Sequence, residues 1–309
     1  MEGYRPTRPT QMGAVEMTQF LQLTIYGVQL GTTYALIALG YTLVYGVIQL
    51  INFAHGDLIM IGAYVAYFAF NLAHMGFVPA VISAMLVTAA IGVAIERVAY
   101  KPLRYRPRLS ALITAMGVSI FIENFARVLP FIGSNFRPFP KFITVRNFAV
   151  GGININTLQI VDFIVTTGLM VVIWVILYRT KIGKAMRAVA ADKEVVQLMG
   201  INIDTVISVT FALGAAFAAV AGVLYSLTYP SLDPYMGGFI GLKAFVGAVL
   251  GGIGSVQGAV VGGIVMGLAE AYASAIYSEL GYGIGFLLLV VILLVKPAGL
   301  FGKFTVEKV

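Results

Sequence analysis

Few side chains of this 309-residue chain could take part in chemistry, and the densest group is Asn52-Phe-Ala-His-Gly-Asp57. These residues interrupt a long apolar stretch with an amide, an imidazole and a carboxylate. Ionisable groups among apolar segments are costly, so they are functional hypotheses by default, and His55 with Asp57 could relay protons. The sequence favours the alternative of a satisfied turn near the boundary of the apolar region. In that turn Asn52 or Asp57 caps the next helix and Gly56 permits the bend.

Four further charged residues lie within or beside apolar segments: Glu123, Asp162, Lys243 and Glu270. Lys243 and Glu270 are the two that lie well inside such segments. A pair between them would neutralise both charges, which is how buried charges usually persist. No spacing rule requires this pair, so it remains one of several possible arrangements.

The glycine tract GAVLGGIGSVQGAVVGG covers residues 247–263. Gly252, Gly254 and Gly258 come near the dinucleotide pattern G-x-G-x-x-G, but the spacing has one residue too many and no suitably placed acid follows. Glycines four residues apart instead let helix backbones approach closely. Tight helix packing beside a moving path is therefore favoured over a ligand site, through the spacings Gly247/Gly251, Gly254/Gly258 and Gly258/Gly262.

Several classes of enzyme are excluded by what the sequence lacks. The chain has no cysteine and two histidines, which removes disulfides and thiolate metal sites. Its Gly-Lys pairs at 183–184 and 302–303 are followed by Ala and Phe, so it carries no phosphate-binding G-x-x-x-x-G-K-[ST]. It also contains neither H-E-x-x-H nor G-x-S-x-G. We expect no metal site, no cofactor and no ATP hydrolysis on this chain.

The composition identifies an integral membrane protein. Hydrophobic residues make up 60% and charged residues 11% of the chain, with a mean hydropathy of +0.94. Soluble domains carry about a quarter charged residues. No Lys or Arg occurs between Arg8 and Arg97. The net charge of +7 fits the excess of basic residues in cytoplasmic loops, so it gives no reason to expect a nucleic-acid partner.

Apolar segments predict an all-α polytopic bundle of eight to ten transmembrane crossings, since a span needs roughly 20 apolar residues. A first span is followed by a short or re-entrant segment and an irregular polar turn. Another long apolar segment should divide near Gly254–Gln257 into two helices. Both termini are expected in the cytoplasm. The predicted segments are 20–39, the re-entrant 40–51, 58–72, 78–95, 111–128, 157–178, 205–227, 237–277 and 284–295.

The predicted organisation has a polar tail over residues 1–19, a transmembrane domain over 20–296 and a cytoplasmic tail over 297–309. The tail at 1–19 lacks the pattern of a signal peptide. Basic loops at about 96–108 and 179–204 are expected in the cytoplasm, and about 129–156 outside. Glycine-interrupted tracts at 40–57 and 237–262 recur in the first and last thirds of the chain. In transporters such segments often flank the substrate path.

The loop from Arg179 to Ile203 has the pattern of two short amphipathic helices. Met186, Val189 and Ala190 share one helical face, and Val195, Leu198 and Met199 share another. Asp192 is a plausible N-cap and Gly200 a plausible terminator of the second helix. Such a pair could dock a partner on the cytoplasmic face. The residues predicted to do so are Lys184, Arg187, Asp192, Val195, Leu198, Met199 and Gly200.

Three tracts resemble one family. They are YALIALGYTLVYGVIQLINFAHGDLIMIGAYVA at 34–66, GKAMRAVAADKEVVQLMGIN at 183–202 and KAFVGAVLGGIGSVQGAVVGGIVMGLAE at 243–270. They are similar to bacterial branched-chain amino-acid ABC permeases of the LivH type, over nearly the whole chain from about residue 21. Urea and short-chain amide importers share the permease fold and much of the NFAHG word, so these substrates stay open.

The resemblance implies an importer in the bacterial inner membrane. A second, LivM-like permease, two cytosolic ATPase subunits that bind ATP and Mg, and an extracytoplasmic binding protein would be its partners, beside membrane lipid. The 183–202 segment would enter a cleft of the ATPase. It departs from the Glu-Ala-Ala…Gly consensus of other importers, because no Glu precedes Ala190-Ala191, Gly200 is displaced and no Leu-Pro follows.

Two other interpretations remain at this point. The first is a proton-coupled secondary transporter that works through His55, Asp57 or Glu270, and the second is a scaffold that does not transport. An ordered basic helix pair has no role in proton coupling, which favours the ABC permease. The residues predicted to line the path or pack its helices are Asn52, His55, Asp57, Lys243, Gly247, Gly251, Gly254, Gly258 and Glu270.

Overall fold

The computed structural model of the chain describes residues 9–104 and 106–302. These residues form eleven α-helices and four short strands. The helices are α1 Pro9–Ile48, α2 His55–Ala73, α3 Phe77–Ile95, α4 Arg108–Val128, α5 Thr157–Arg179, α6 Lys181–Ala191, α7 Lys193–Leu198, α8 Ile203–Thr228, α9 Met236–Gly251, α10 Val256–Ile276 and α11 Ser278–Val295. The strands are β1 Arg137–Pro138, β2 Asn147–Val150, β3 Ile153–Asn156 and β4 Ser231–Leu232.

Eight of the helices in the described ranges have the length and hydropathy to cross a bilayer. They are α1 to α5, α8, α10 and α11, whereas α9 is apolar but shorter. Backbone groups in lipid must be hydrogen-bonded within the chain, and a helix meets that demand locally. The predicted all-α polytopic bundle is confirmed, and so is the division of the segment 237–277, which falls between α9 and α10.

The first helix differs from its prediction. α1 runs without a break for 40 residues, of which Met17–Ile48 has the character of a span. The re-entrant segment predicted at 40–51 is therefore wrong up to Ile48, because glycine inside a transmembrane helix keeps its hydrogen bonds. α1 begins at Pro9, within the predicted polar tail of residues 1–19, and residues 1–8 lie outside the described residues. The real break is at Gln49, whose φ is +57°.

The buried centre of the bundle is built around α1 and α8. The most apolar windows of these two helices are 89% and 78% buried, against 17% for α4 and 11% for α11. α1 packs closely on α10, where a Cβ on Gly267 would overlap the backbone of Gly31. α8 packs in the same way on α2, because Gly222 meets the carbonyl of Ile59. α5, α9 and α10 thus pack on α1, and α2 and α3 pack on α8.

The bundle has two distinct ends, named here for the elements that they carry. We call the helix pair α6 and α7 the hairpin, and the end of the bundle that carries it the hairpin end. The end of α1, the turn between α9 and α10, and residues 296–302 also lie there. At the strand end, β1 pairs antiparallel with β4 and β2 with β3. The Gln22 side chain bonds the backbone of Asn154 there. Because α1 is a single crossing, its start and residues 296–302 lie at opposite ends of the bundle. The prediction of two cytoplasmic termini concerns residues 1–8 and 303–309, which lie outside the described residues.

The basic segment predicted as a loop at 96–108 is mostly helical. α3 continues as a π-helical turn over Glu96–Tyr100 and a 3₁₀ turn over Lys101–Leu103. π-turns are rare and occur often at functional sites. The segment 129–156 contains three of the four strands of the described residues.

The glycine contact between α1 and α10 gives a first prediction. Gly267→Val places a branched side chain against the backbone of Gly31, so α10 must move away from α1 and the protein loses about 1–3 kcal/mol of stability or more. Gly168→Val in α5 is the matched control, since an added Cβ there meets no atom within 4 Å. Thermal unfolding of the purified proteins in detergent measures the difference. Equal melting temperatures for the two variants would contradict this packing.

Candidate functional site

The polar turn Asn52–Asp57 lies in the middle of the bundle rather than at its boundary. The His55 ring touches Gly40, where a Cβ would overlap it, and lies 3.7 Å from the Cβ position of Gly214. At 1.5 Å per residue, Gly40 is about 12 Å from the end of α1 and Gly214 about 16 Å from the start of α8. The ring of Tyr41 lies against the imidazole, tilted by 59°, at 4.5 Å between centroids. The expectation of a turn near a membrane face is therefore wrong. Gly40 and Gly214 leave room for the His55 ring, so the polar turn fits in the middle of the bundle.

Most polar atoms of this turn have no protein hydrogen-bond partner at normal geometry within the described residues. Tyr100 donates to Asn52 Oδ1 at 2.8 Å. The Asn52 amide nitrogen, both His55 ring nitrogens and both Asp57 oxygens are buried without such a partner, and the backbone of Ile37 faces the His55 ring. The Ser119 hydroxyl faces Asp57. Since an unpaired buried polar group costs about 1–3 kcal/mol, such a cluster calls for a role beyond stability.

The predicted helix cap is absent from this turn. The residue at the N-cap position of α2 is Ala54, which has no side-chain group to cap the helix. Asn52 is instead turned toward Tyr100, and Asp57 lies within the first turn of α2. The capping roles predicted for these two residues are wrong, because the turn is packed against neighbouring helices rather than solvated.

The short helix α9 starts beside the start of α2, deep in the bundle. A Cβ on Gly237 would overlap the carbonyl oxygen of Gly56 and touch Met60, and one on Gly241 would touch Gly56. The two first turns therefore lie side by side and run in opposite directions. A helix N-terminus carries free N–H groups and partial positive charge. Two interrupted helices that begin at mid-bundle are the arrangement with which transporters line substrate sites.

Two other carboxylates flank this region. Glu123 of α4 lies beside Gly238 of α9, 2.9 Å from its Cβ position, and is only partly buried. Asp162 of α5 is buried and accepts hydrogen bonds from Thr33 and Thr32 of α1 at 3.2 and 3.4 Å. Glu123 thus borders the start of α9, whereas Asp162 fastens α5 to α1. No group of three or more metal-binding side chains occurs within the ranges that the structure describes.

Lys243 and Glu270 form the ion pair that the sequence left open. Lys243 Nζ lies 2.5 Å from Glu270 Oε1 and joins α9 to α10. The Tyr34 hydroxyl donates to the other oxygen of Glu270 at 2.8 Å. The ammonium also lies over the rings of Phe239 and Tyr282, at 4.7 and 5.2 Å from their centroids. Aromatic faces attract cations, so the pair is held from both sides.

The glycine tract serves close packing, as predicted, except at Gly254. A Cβ on Gly251 would overlap the carbonyl of Gly258, and one on Gly262 would overlap that of Gly247. These contacts bring α9 and α10 together. Gly254 is outside both helices with φ +93°, so its predicted helix face shared with Gly258 is wrong. Its role is the turn between the two helices.

The predicted amphipathic helix pair is confirmed as α6 and α7. Met186 and Val189 of α6 are buried, while Lys184 and Arg187 are exposed. Arg187 also donates to the Leu177 carbonyl at the end of α5. The hairpin is therefore anchored through one apolar face and through a hydrogen bond to the end of a spanning helix.

α7 has the predicted cap and terminator. The Val195 amide donates to Asp192 Oδ1 at 3.0 Å, and Gly200 ends the turn with φ +76°. Val196 is the buried apolar residue of this helix at 3% exposure. The predicted face is instead exposed, and its members are Val195 at 50%, Leu198 at 89% and Met199 at 71%.

The sequence pattern did not predict a cluster of charged side chains that lies at the hairpin end. Fully buried Glu96 accepts hydrogen bonds from Arg104 and, at 2.7 Å, from Ser208 of α8. Arg104 also pairs with Asp204, which Lys101 reaches at 2.5 Å. The cluster ties the end of α3 to the start of α8. The spacing of these residues gave no signal, because the segment was assigned to a loop.

This cluster gives a second prediction. Arg104→Met leaves the buried Glu96 carboxylate without its cation, which costs about 3–5 kcal/mol of stability. Lys101→Met is the matched control, because its pair with Asp204 is half exposed and such pairs contribute about 1 kcal/mol or less. Thermal unfolding should separate the two variants clearly. Adding Glu96→Gln to Arg104→Met should recover most of the loss, and failure to recover would contradict this account.

Comparison with known proteins identifies the family. The family described as branched-chain amino acid transport system / permease component matches residues 23–294. The chain is 44% identical over 310 residues to a LivH protein of Salmonella typhimurium, covering 94% of this chain and 98% of that one. It is 43% identical over 308 residues to BraD of Pseudomonas aeruginosa, covering 95% and 99%. Both are named high-affinity branched-chain amino acid transport system permease proteins.

Two more distant similarities extend the comparison. A probable branched-chain amino acid transport permease protein of Methanocaldococcus jannaschii is 28% identical over 221 residues, covering 69% of this chain and 68% of that one. The solved structure of PsaBC from Streptococcus pneumoniae in complex with Fab matches 92% of this chain and 94% of its own, with a TM-score of 0.47 and 12% identity. That likeness is too low to support an argument. The family match and the identity to its relatives over nearly the whole length suffice: the chain is a multi-pass membrane protein and belongs to the permease components of branched-chain amino acid transport systems.

Proposed function

We propose that this chain forms part of the translocation path of an ABC importer for branched-chain amino acids in the bacterial inner membrane. The names of its relatives support this substrate class. The observation that carries the proposal is the pair of helices, α2 and α9, which begin side by side in the middle of the bundle next to buried polar groups. The chain has no phosphate-binding motif of its own. ATP and Mg would be bound by separate subunits.

The path would follow the exposed side of α9. Glu123 of α4 and Tyr282 of α11 lie on the two sides of this helix, next to Gly238 and Phe239. α4 and α11 are mostly exposed in this chain alone. A second, homologous permease of the LivM-like type would cover this surface and complete the path, and lipid would cover the remaining apolar faces.

The hairpin end would face the cytoplasm, where basic residues are preferred in short loops. The strand end would face outward, and β1 to β4 would receive the extracytoplasmic binding protein. The basic residues of the hairpin end within the described ranges are Arg97, Lys101, Arg104, Arg106, Arg108, Arg179, Lys181, Lys184, Arg187, Lys193 and Lys296. Those of the strand end are Arg127, Arg137, Lys141 and Arg146.

The exposed face of α7 would dock one of two cytosolic ATPase subunits. Three apolar side chains that stay exposed beside buried Val196 are unfavourable in the isolated chain, and a partner would cover them. The route inward is short, because Lys193 Nζ donates to the Ile48 carbonyl at 3.3 Å. Ile48 ends α1, and residues 49–51 lead from it to the polar turn. Movement of α7 would therefore reach the Asn52–Asp57 turn through the last residue of α1.

Docking through α7 gives a third prediction. Leu198→Asp with Met199→Asp should abolish uptake and lower the transport-stimulated ATP hydrolysis of the reconstituted importer at least about tenfold, since apolar anchors at interfaces each contribute 2 kcal/mol or more. Both side chains are exposed, so the protein should fold. Ile276→Asp, an exposed site at the strand end, is the control. Normal uptake by the double variant would refute docking through α7. Uptake driven by a proton gradient in the absence of the ATPase subunits would refute the proposed function as a whole.

Orientation gives a fourth prediction, which the absence of cysteine makes simple to test. Met199→Cys and Val145→Cys each introduce one exposed thiol into this chain, at opposite ends of the bundle. A membrane-impermeant maleimide added to intact spheroplasts should label Val145→Cys and spare Met199→Cys until the membrane is opened. The reverse pattern would place the hairpin end outside.

A further inference from the structure

The ion pair between Lys243 and Glu270 is difficult to explain by stability alone. Both residues lie within apolar helices, and their side chains are 9% and 13% exposed. Replacing a buried ion pair by apolar side chains of similar size is often neutral or stabilising. The glycine contacts between α9 and α10 already hold these helices together. Charged residues inside spanning segments more often mark a substrate route.

The side chains around the pair stabilise one cation, at Lys243, and one anion, at Glu270. The rings of Phe239 and Tyr282 face the ammonium of Lys243, at 4.7 and 5.2 Å. The Tyr34 hydroxyl donates to Glu270 at 2.8 Å and leaves Glu270 Oε1 to Lys243. Tyr34 is 1% exposed, so it holds the carboxylate from the buried side. Each charge therefore stays in place when its contact with the other is broken.

The pair also borders the surface assigned to the path. Phe239 and Tyr282 are 40% and 59% exposed, and their rings contact each other at 5.5 Å between centroids. These two rings are the aromatic groups over the Lys243 ammonium, and rotation of aromatic side chains is fast compared with transport. Lys243 projects from α9, the helix whose start lies at the mid-bundle turn. A ligand on the exposed side of α9 is therefore separated from the ion pair by two mobile rings.

We propose that Lys243 and Glu270 bind the zwitterionic head of the transported amino acid. Its carboxylate takes the Lys243 ammonium and its ammonium takes Glu270 Oε1, while Phe239 and Tyr282 contact the aliphatic side chain. This proposal rests on the proposed function and identifies the residues that would bind the substrate.

The charge balance selects the substrate class. Opening the ion pair exposes one cation and one anion in a medium where each unpaired charge is costly. A zwitterion replaces both partners at once, so no charge is left uncompensated. A neutral urea or amide leaves both charges unpaired, and a simple carboxylate or amine leaves one. The pair therefore favours amino acids over the urea and amide substrates that the sequence could not exclude.

The test uses the complete importer in proteoliposomes with its binding protein and leucine. ATP-driven uptake by the wild type must be present, and its absence would count against the proposed function rather than against this site. Lys243→Met with Glu270→Gln should assemble normally, since it removes both charges together, and should lower the initial rate of leucine uptake at least about tenfold, because hydrogen bonds to charged groups are lost. Wild-type uptake by this variant would overturn the proposal.

A charge-reversed variant separates binding from structure. Lys243→Glu with Glu270→Lys keeps an ion pair but places the anion under the aromatic rings and the cation at Tyr34. If the pair only held the helices, this variant would restore uptake, and that result would overturn the proposal. We expect uptake to stay at least about tenfold below that of the wild type, with normal assembly.

Substrate protection provides a measurement that does not depend on either charge variant. Tyr282→Cys should react with a small thiol reagent in the assembled importer, and leucine delivered by the binding protein should slow that reaction several-fold. Glu279→Cys, exposed in the first turn of the same helix, is the matched control and should react at the same rate with and without leucine. Equal slowing at both positions, or slowing at neither, would overturn the proposal.

Discussion

The close approach of helix backbones at glycine is the constraint on which the rest of this structure depends. α1 meets α10, α9 meets α10, and α2 meets α9 at points where an added Cβ would overlap a neighbouring backbone. Between helices in lipid there is no hydrophobic driving force, so close van der Waals packing has to hold them. This packing lets two helices begin deep in the bundle. Larger residues at Gly56 and Gly237 would separate α2 from α9.

Buried charge is the second organising feature, and it is handled differently in different parts of the bundle. At the hairpin end Glu96 is satisfied by Arg104 and Ser208, which ties α3 to α8. Near α9, Lys243 and Glu270 neutralise each other and keep aromatic and hydroxyl neighbours. The polar atoms of His55 and Asp57 lack such partners at normal geometry. The first cluster fits a structural joint, whereas the other two lie beside the proposed path.

The α6–α7 hairpin packs on the spanning helices α1, α5 and α8. One face of α6 is buried against the spanning helices, and α7 leaves its apolar face exposed. The bond from Lys193 to Ile48 connects α7 to the end of α1, from which residues 49–51 lead to the central polar residues. A partner that moved α7 would therefore act directly on the segment before α2. This short distance is what a coupling element requires.

The sequence by itself determined the features that depend on local pattern. Apolar length predicted the spans, and the 3.6-residue period, Asp192 and Gly200 predicted α6 and α7 with their ends. The tertiary structure alone decided the depth of the Asn52–Asp57 turn, the continuity of α1 through Gly40, and the partners of Glu96 and Lys243. Those features depend on contacts between residues far apart in the chain. A glycine that breaks a helix and a glycine that lets another helix approach look identical in sequence, because only the neighbour across the contact distinguishes them.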